Sequence, residues 1–190
     1  MKKLINILLS IFFIFSFLMC SKPTPKPRAY FRINFPEKKY QLYDSTCPFK
    51  FEYPVYMKIK YVENYENEPC WINVEFPQFK CNIHLTYKRI DKNFNNLTED
   101  IRSLVYKHTI KADDIIENLI KYPEKKVYGM SYDIKGNTAT SLIFYLTDST
   151  NNFLAASLYF NAQPNIDSIG PVLEFIKKDI NHFIETFSWK

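Results

Sequence analysis

Residues 126–161 read KVYGMSYDIKGNTATSLIFYLTDSTNNFLAASLYFN. Three apolar and aromatic runs, Lys126 to Ile134, Thr138 to Thr147 and Phe153 to Asn161, are divided by two polar, turn-forming links. Lys135-Gly136-Asn137 is one link and Asp148-Ser149-Thr150-Asn151-Asn152 the other. A parallel crossover needs about a dozen residues or more, so links this short favour antiparallel neighbours. The sheet that results is what the rest of the chain must pack against.

Upstream the same alternation recurs. Phe49, Phe51 and Tyr53 alternate with Lys50 and Glu52 until Pro54, and Tyr56 to Val62 alternates again. Trp71 to Phe76, a Pro77-Gln78 turn and Phe79 to Tyr87 form a hairpin pattern. Tyr30 to Gln41, with Phe31, Ile33 and Phe35 against Arg32 and Asn34, reads as strand-like packing on the domain's rim.

Two segments change period. From Asn95 to Tyr122 apolar residues recur at steps of three and four, through Ile101, Val105, His108, Ala112, Ile115 and Leu119. Thr98, Glu99 and Asp100 suit the start of that helix and Pro123 its stop; a break near Thr109 would give two shorter helices. The last segment reads as a helix from about Ser168 to Trp189, capped by Asp167 or Ser168, with Pro171 in its first turn. Its core stripe is Ile169, Leu173, Ile176, Ile180, Phe183 and Phe187, opposite Lys177, Lys178, Asp179 and Glu185. The fold class is α+β: an antiparallel sheet of about six to seven strands, with one mid-chain and one C-terminal helix packed on it.

The N-terminus sets the compartment. Met1-Lys2-Lys3 precedes an uncharged apolar run from Leu4 to Met19, which as a helix spans about 24 Å, short of a hydrocarbon core of roughly 30 Å. The run stops at Cys20 and passes into a basic, Pro-rich flank, Ser21 to Arg28. The pattern resembles a lipoprotein signal, with residues 1–19 removed and the Cys20 thiolate carrying the lipid. Phe17 and Met19 stand where such signals usually have Leu and a small residue. The other reading is an uncleaved single-pass anchor with a structural cysteine. Residues 20–29 form an extended linker and 30–190 a single domain.

Net charge is +5 over 190 residues, and the positive charge gathers in Lys22, Lys26, Arg28, Arg32, Lys38 and Lys39. That places it beside the membrane, where anionic headgroups attract it, and gives no nucleic-acid footprint on the domain. Three glycines in the whole chain argue against a Gly-rich phosphate loop. Cys47 pairing with Cys70 is favoured over other pairings, with three buried thiols as the alternative.

Catalytic and metal chemistry find no motif. His84 lies on the polar face of its strand, His108 on the apolar face of a helix, and His182 on a polar helix face. None stands at metal-ligand spacing to an acid. Asp113 and Asp114 point apart on a helix, and Asp148-Ser149-Thr150 is turn composition without a nucleophile elbow. No cofactor, catalytic residue or metal site is expected.

Several blocks carry a family resemblance: Pro27-Arg28-Ala29-Tyr30-Phe31-Arg32-Ile33, Pro36-Glu37-Lys38-Lys39-Tyr40, Cys47-Pro48-Phe49, Phe51-Glu52-Tyr53-Pro54 and Cys70-Trp71. Ile83-His84-Leu85, Tyr106-Lys107-His108-Thr109, Lys111-Ala112-Asp113, Thr147-Asp148-Ser149-Thr150, Leu158-Tyr159-Phe160-Asn161 and Trp189-Lys190 continue it. Together they resemble the gliding motility lipoprotein GldD family of the Bacteroidetes. The resemblance implies a membrane-anchored envelope protein of the gliding apparatus, linked to type IX secretion, with protein partners in that machinery. It offers no catalytic residues. Surface-exported lipoproteins of that phylum tend to carry acids after the cysteine; Ser21 to Arg28 has none, so the domain is expected to face the periplasm. Tyr30, Phe31, Arg32 and Tyr40, with Tyr43, are the candidate partner-binding residues, unless they simply pack the tail. An envelope enzyme using His84 or His108, or a carrier of an apolar ligand between helix and sheet, are the competing readings.

Overall fold

The computed structural model describes residues 32–62 and 70–190. Strands β1 (Tyr40–Asp44), β2 (Phe49–Pro54), β3 (Lys58–Tyr61), β4 (Ile72–Phe76) and β5 (Cys81–Arg89) come first, followed by helix α1 (Phe94–Tyr106). Strands β6 (Ala112–Tyr122), β7 (Val127–Gly136), β8 (Thr140–Thr147) and β9 (Asn152–Phe160) precede helix α2 (Ile166–Thr186) and a two-residue strand, β10 (Ser188–Trp189). A seven-stranded sheet has the order β3-β4-β5-β9-β8-β7-β6, and a three-stranded sheet has the order β1-β2-β10. Neighbours in both are antiparallel. The class is α+β, as the short links require.

Pleating divides the core in two. Leu142, Phe144 and Leu146 of β8 point toward α2, meeting Leu173, Ile176, Ile180 and Phe183, and toward Phe49 and Phe51 of β2. Ile143 points the other way, with Tyr132, Ile134 and Phe153, onto Leu97, Ile101 and Val105 of α1. β8 is therefore buried on both faces, which is why its sequence is almost continuously apolar.

The mid-chain helix is half the expected length. It ends at Tyr106 in a 3-10 turn, Lys107–Ile110, where the Thr109 hydroxyl donates to the Tyr106 carbonyl at 2.7 Å. Residues 112–122 are a strand paired with β7 through the tight turn Pro123–Lys125, which Lys126 closes at φ 52. Ile115, Ile116 and Ile120 suit strand as well as helix, and pairing with β7 decides between them. Asp113 and Asp114 thus lie at a bulge in a strand, and His108 in the turn before it. Thr98 does not cap α1, which starts at Phe94; its hydroxyl bonds back to the Phe94 and Asn95 carbonyls.

α2 also begins earlier than expected. Asn165 is its cap, accepting from the Asp167 amide at 3.1 Å, so Pro171 lies inside the helix. At its far end the chain leaves the helix at Phe187, and Ser188 and Trp189 add to β2. Residues 32–39, read from the sequence as strand-like, have no ladder and form an extended strap. Asn34–Lys190 make one compact unit. No described helix is long and apolar enough to cross a membrane. Residues 1–31, with Cys20, Tyr30 and Phe31, lie outside the described residues.

Cys47 and Cys70 form a disulfide with Cα atoms 5.6 Å apart, joining the small sheet to the start of β4. Cys81 is a buried free thiol whose pKa burial pushes far up. Replacing both Cys47 and Cys70 by Ala should lower unfolding stability by about 3 kcal/mol for a loop of this size. Urea denaturation with and without reductant checks it: the reductant should destabilise the native protein and leave the double variant unchanged.

Candidate functional site

The sequence places Asp179 on the outer side of α2. In the structure it is buried, with 1% of its side chain exposed. It sits four residues from Phe175 and Phe183 and three from Ile176, on the border of the apolar stripe, and the strap covers that border.

Three donors converge on its carboxylate. Oδ1 accepts from Lys38 Nζ at 2.6 Å and from the Tyr40 hydroxyl at 3.0 Å. Oδ2 accepts from the Tyr56 hydroxyl at 2.5 Å. Lys38 also donates to the Phe175 carbonyl at 3.1 Å and lies 3.7 Å from the centre of that ring. Burial first, and then the Asp179 hydrogen bond and charge, push the Tyr40 hydroxyl up to about 12 and raise Tyr56 further still.

Neighbouring side chains extend the grip along α2. Phe35 stacks on Phe175 with centroids 4.4 Å apart and touches Phe79 at 5.9 Å. Tyr40 stacks on His182 at 3.6 Å, and His182 Nε2 donates to Glu52 at 2.7 Å. Phe175, Asp179 and His182 are spaced by four and three residues, one stripe about 10 Å long that reads the strap in order: Phe35, Lys38, Tyr40. The strap's carbonyls are held as well: Gln78 Nε2 donates to the Asn34 carbonyl at 3.3 Å and the Val55 amide to the Lys39 carbonyl at 2.9 Å.

The other candidates lie apart from this cluster. Arg32 is exposed and precedes the compact unit. Tyr40 has its hydroxyl and one ring face engaged within the domain, and Tyr43 is buried, its hydroxyl 3.7 Å from Cys47 Sγ. His84 Nδ1 donates to Asn73 Oδ1 at 2.6 Å on the sheet face opposite α2, and burial lowers its pKa. Burial also lowers that of His108. Asp148 organises its turn, accepting from the amides of Thr150, Asn151 and Asn152, which hold its carboxyl low against the opposing effect of burial. Between α1 and the sheet a cavity of about 70 Å³ lies against Leu97, Ile101 and Phe153. That is well under the roughly 300 Å³ of a small-molecule pocket. An open groove of about 330 Å³ runs between β6 and Ile184 and Glu185 of α2. Neither His84 nor His108 lines either space. Among the described residues no group of three or more His, Cys, Asp or Glu is placed to hold a metal.

A family model described as gliding motility lipoprotein GldD matches residues 20–189. The chain belongs to this family. GldD proteins are envelope lipoproteins of gliding motility, so membership supplies the role and the membrane anchor. The match begins at Cys20, the residue that ends the apolar run. No curated protein matches the chain. Among solved structures it is similar to cyanobacterial PsbP (CyanoP) from Synechocystis, with a TM-score of 0.49 and 11% identity, over 82% of this chain and 95% of that one.

The strap geometry has a consequence at high pH. Tyr40 holds its proton to about 12 in the folded protein, against about 10 when unfolded. Its contribution is therefore complete below pH of about 10 and drains away as pH rises toward 12. Unfolding free energy followed through this range, with tyrosinate absorbance as the titration signal, should fall. Tyr40→Phe should fall less steeply than the native protein.

Proposed function

We propose that this GldD lipoprotein is a non-enzymatic assembly or scaffold component of the gliding apparatus, coupled to the type IX secretion system. A lipid on Cys20 holds it at the membrane, and the folded unit stands in the periplasm.

The observation that carries this reading is the state of Asp179. Asp179 is the one acid that the fold buries fully among the described residues. Here both oxygens are occupied by the protein's own donors, and the result is a strap fastened to α2 where the chain arrives from its anchor. A protein that positions others is served by a domain whose first residues are fixed to its core.

Crosslinking the tagged protein in living cells, followed by purification and identification of what accompanies it, tests the proposal. Gliding or secretion-channel subunits should be recovered, and Cys20→Ala should lose them. Recovery of no protein, from cells that still need the gene to glide, would move the assignment to an envelope enzyme or an apolar-ligand carrier.

A further inference from the structure

Among the described residues β6 is the terminal strand of the large sheet, hydrogen-bonded to β7 alone. Its eleven residues contrast with the sheet's other edge, β3, which is four residues long and carries Lys58 and Lys60. Short, lysine-marked edges resist pairing with other chains, whereas long ones with exposed apolar residues invite it. On β6, Leu119 is 73% exposed and Ile116 41%. Glu117, Asn118 and Lys121 are exposed between and beside them. The bulge at Ala112/Asp114 ends the regular ladder on one side and Pro123 on the other.

The sequence of this edge is complementary to itself. We propose that β6 pairs antiparallel with β6 of a second copy of this chain, about a two-fold axis through Leu119. In that register Leu119 meets Leu119 of the second copy, and Glu117 meets Lys121 twice. Ile116 meets Tyr122 twice, and Asn118 meets Ile120. Apolar faces apolar and acid faces base on one side of the sheet, the arrangement that stabilises cross-strand pairs. An axis one residue earlier sets Leu119 against Glu117, and one earlier again sets Glu117 against itself. Isologous contacts of this kind close after two copies. A lipid anchor confines both copies to one surface, so the modest affinity of a single strand pair is enough. The pairing does not depend on which proteins the domain positions, and it leaves the strap and Asp179 untouched.

The test uses the full-length lipoprotein in its own cells. Leu119→Cys places two thiols directly across the axis, where antiparallel Cα separations of about 4.5–5.5 Å permit a disulfide. Mild oxidation should give a dimer of this chain on a non-reducing gel, absent from the native protein, whose Cys81 is buried. In that background Glu117→Lys or Lys121→Glu opposes like charges twice and should cut the dimer about tenfold. The combined swap, Glu117→Lys with Lys121→Glu, should restore it. Glu117 also accepts from the Tyr106 hydroxyl at 2.7 Å, so its single change alone could act on the monomer; the restoration separates the two effects. A monomer only, an adduct with a different polypeptide, or a swap that fails to restore the dimer would overturn the proposal.

Discussion

Asp179 brings a carboxylate to a place water does not reach, and the N-terminal part of the unit is arranged to meet it. A buried charge left without partners is expensive, and here Lys38, Tyr40 and Tyr56 share the task. Those donors come from two separate pieces of chain, the strap with the first residue of β1 that continues it, and the turn after β2. Satisfying one group therefore fixes how both lie against α2. Phe175 below and His182 above prolong the contact with aromatic stacking. The strap has no ladder of its own, so these side chains, with the hydrogen bonds to its Asn34 and Lys39 carbonyls, are what distinguish it from a loose tail.

This arrangement fixes the first residues of the compact unit to its core. The family places a lipid-bearing cysteine upstream, and the compact unit begins at Asn34, one residue before the first ring that stacks on α2. α2 in turn packs against the sheet through Leu173, Ile176, Ile180 and Phe183, and β10 and the disulfide bind the small sheet to the same core. The strap is thus joined through α2 to the centre of the domain. Such a path is consistent with the scaffold role proposed above.

Much of this could be read in the residues, and the failures have identifiable causes. The runs around Gly136 and Asp148 became β7, β8 and β9 because their links were short enough to leave one topology. The stretch after Thr109 misled because isoleucines spaced by one and four fit a helical stripe and a strand equally; only the partner β7 separates them. Asp179 was placed with the charged side of α2 because a helix seen alone shows one apolar stripe. The strap that covers its flank lies some 140 residues away, as the Lys38–Asp179 separation of 141 records. A signal was nevertheless present, since Asp179 falls at helical spacing from Phe175, Ile176 and Phe183. The strap's aromatic and basic character is legible in the sequence, but nothing local marks Lys38 and Tyr56 as partners for a distant acid.

A double-mutant cycle on Lys38 and Asp179, read as unfolding free energy in denaturant, tests the central claim most directly. Asp179→Asn should cost about 3 kcal/mol, as expected when one partner of a buried pair is lost. The double variant Lys38→Met with Asp179→Asn should cost less than the sum of the singles by about 1 kcal/mol or more, showing that the two act as one unit. Strict additivity, with Asp179→Asn as mild as a surface change, would contradict the account and leave the strap an incidental contact.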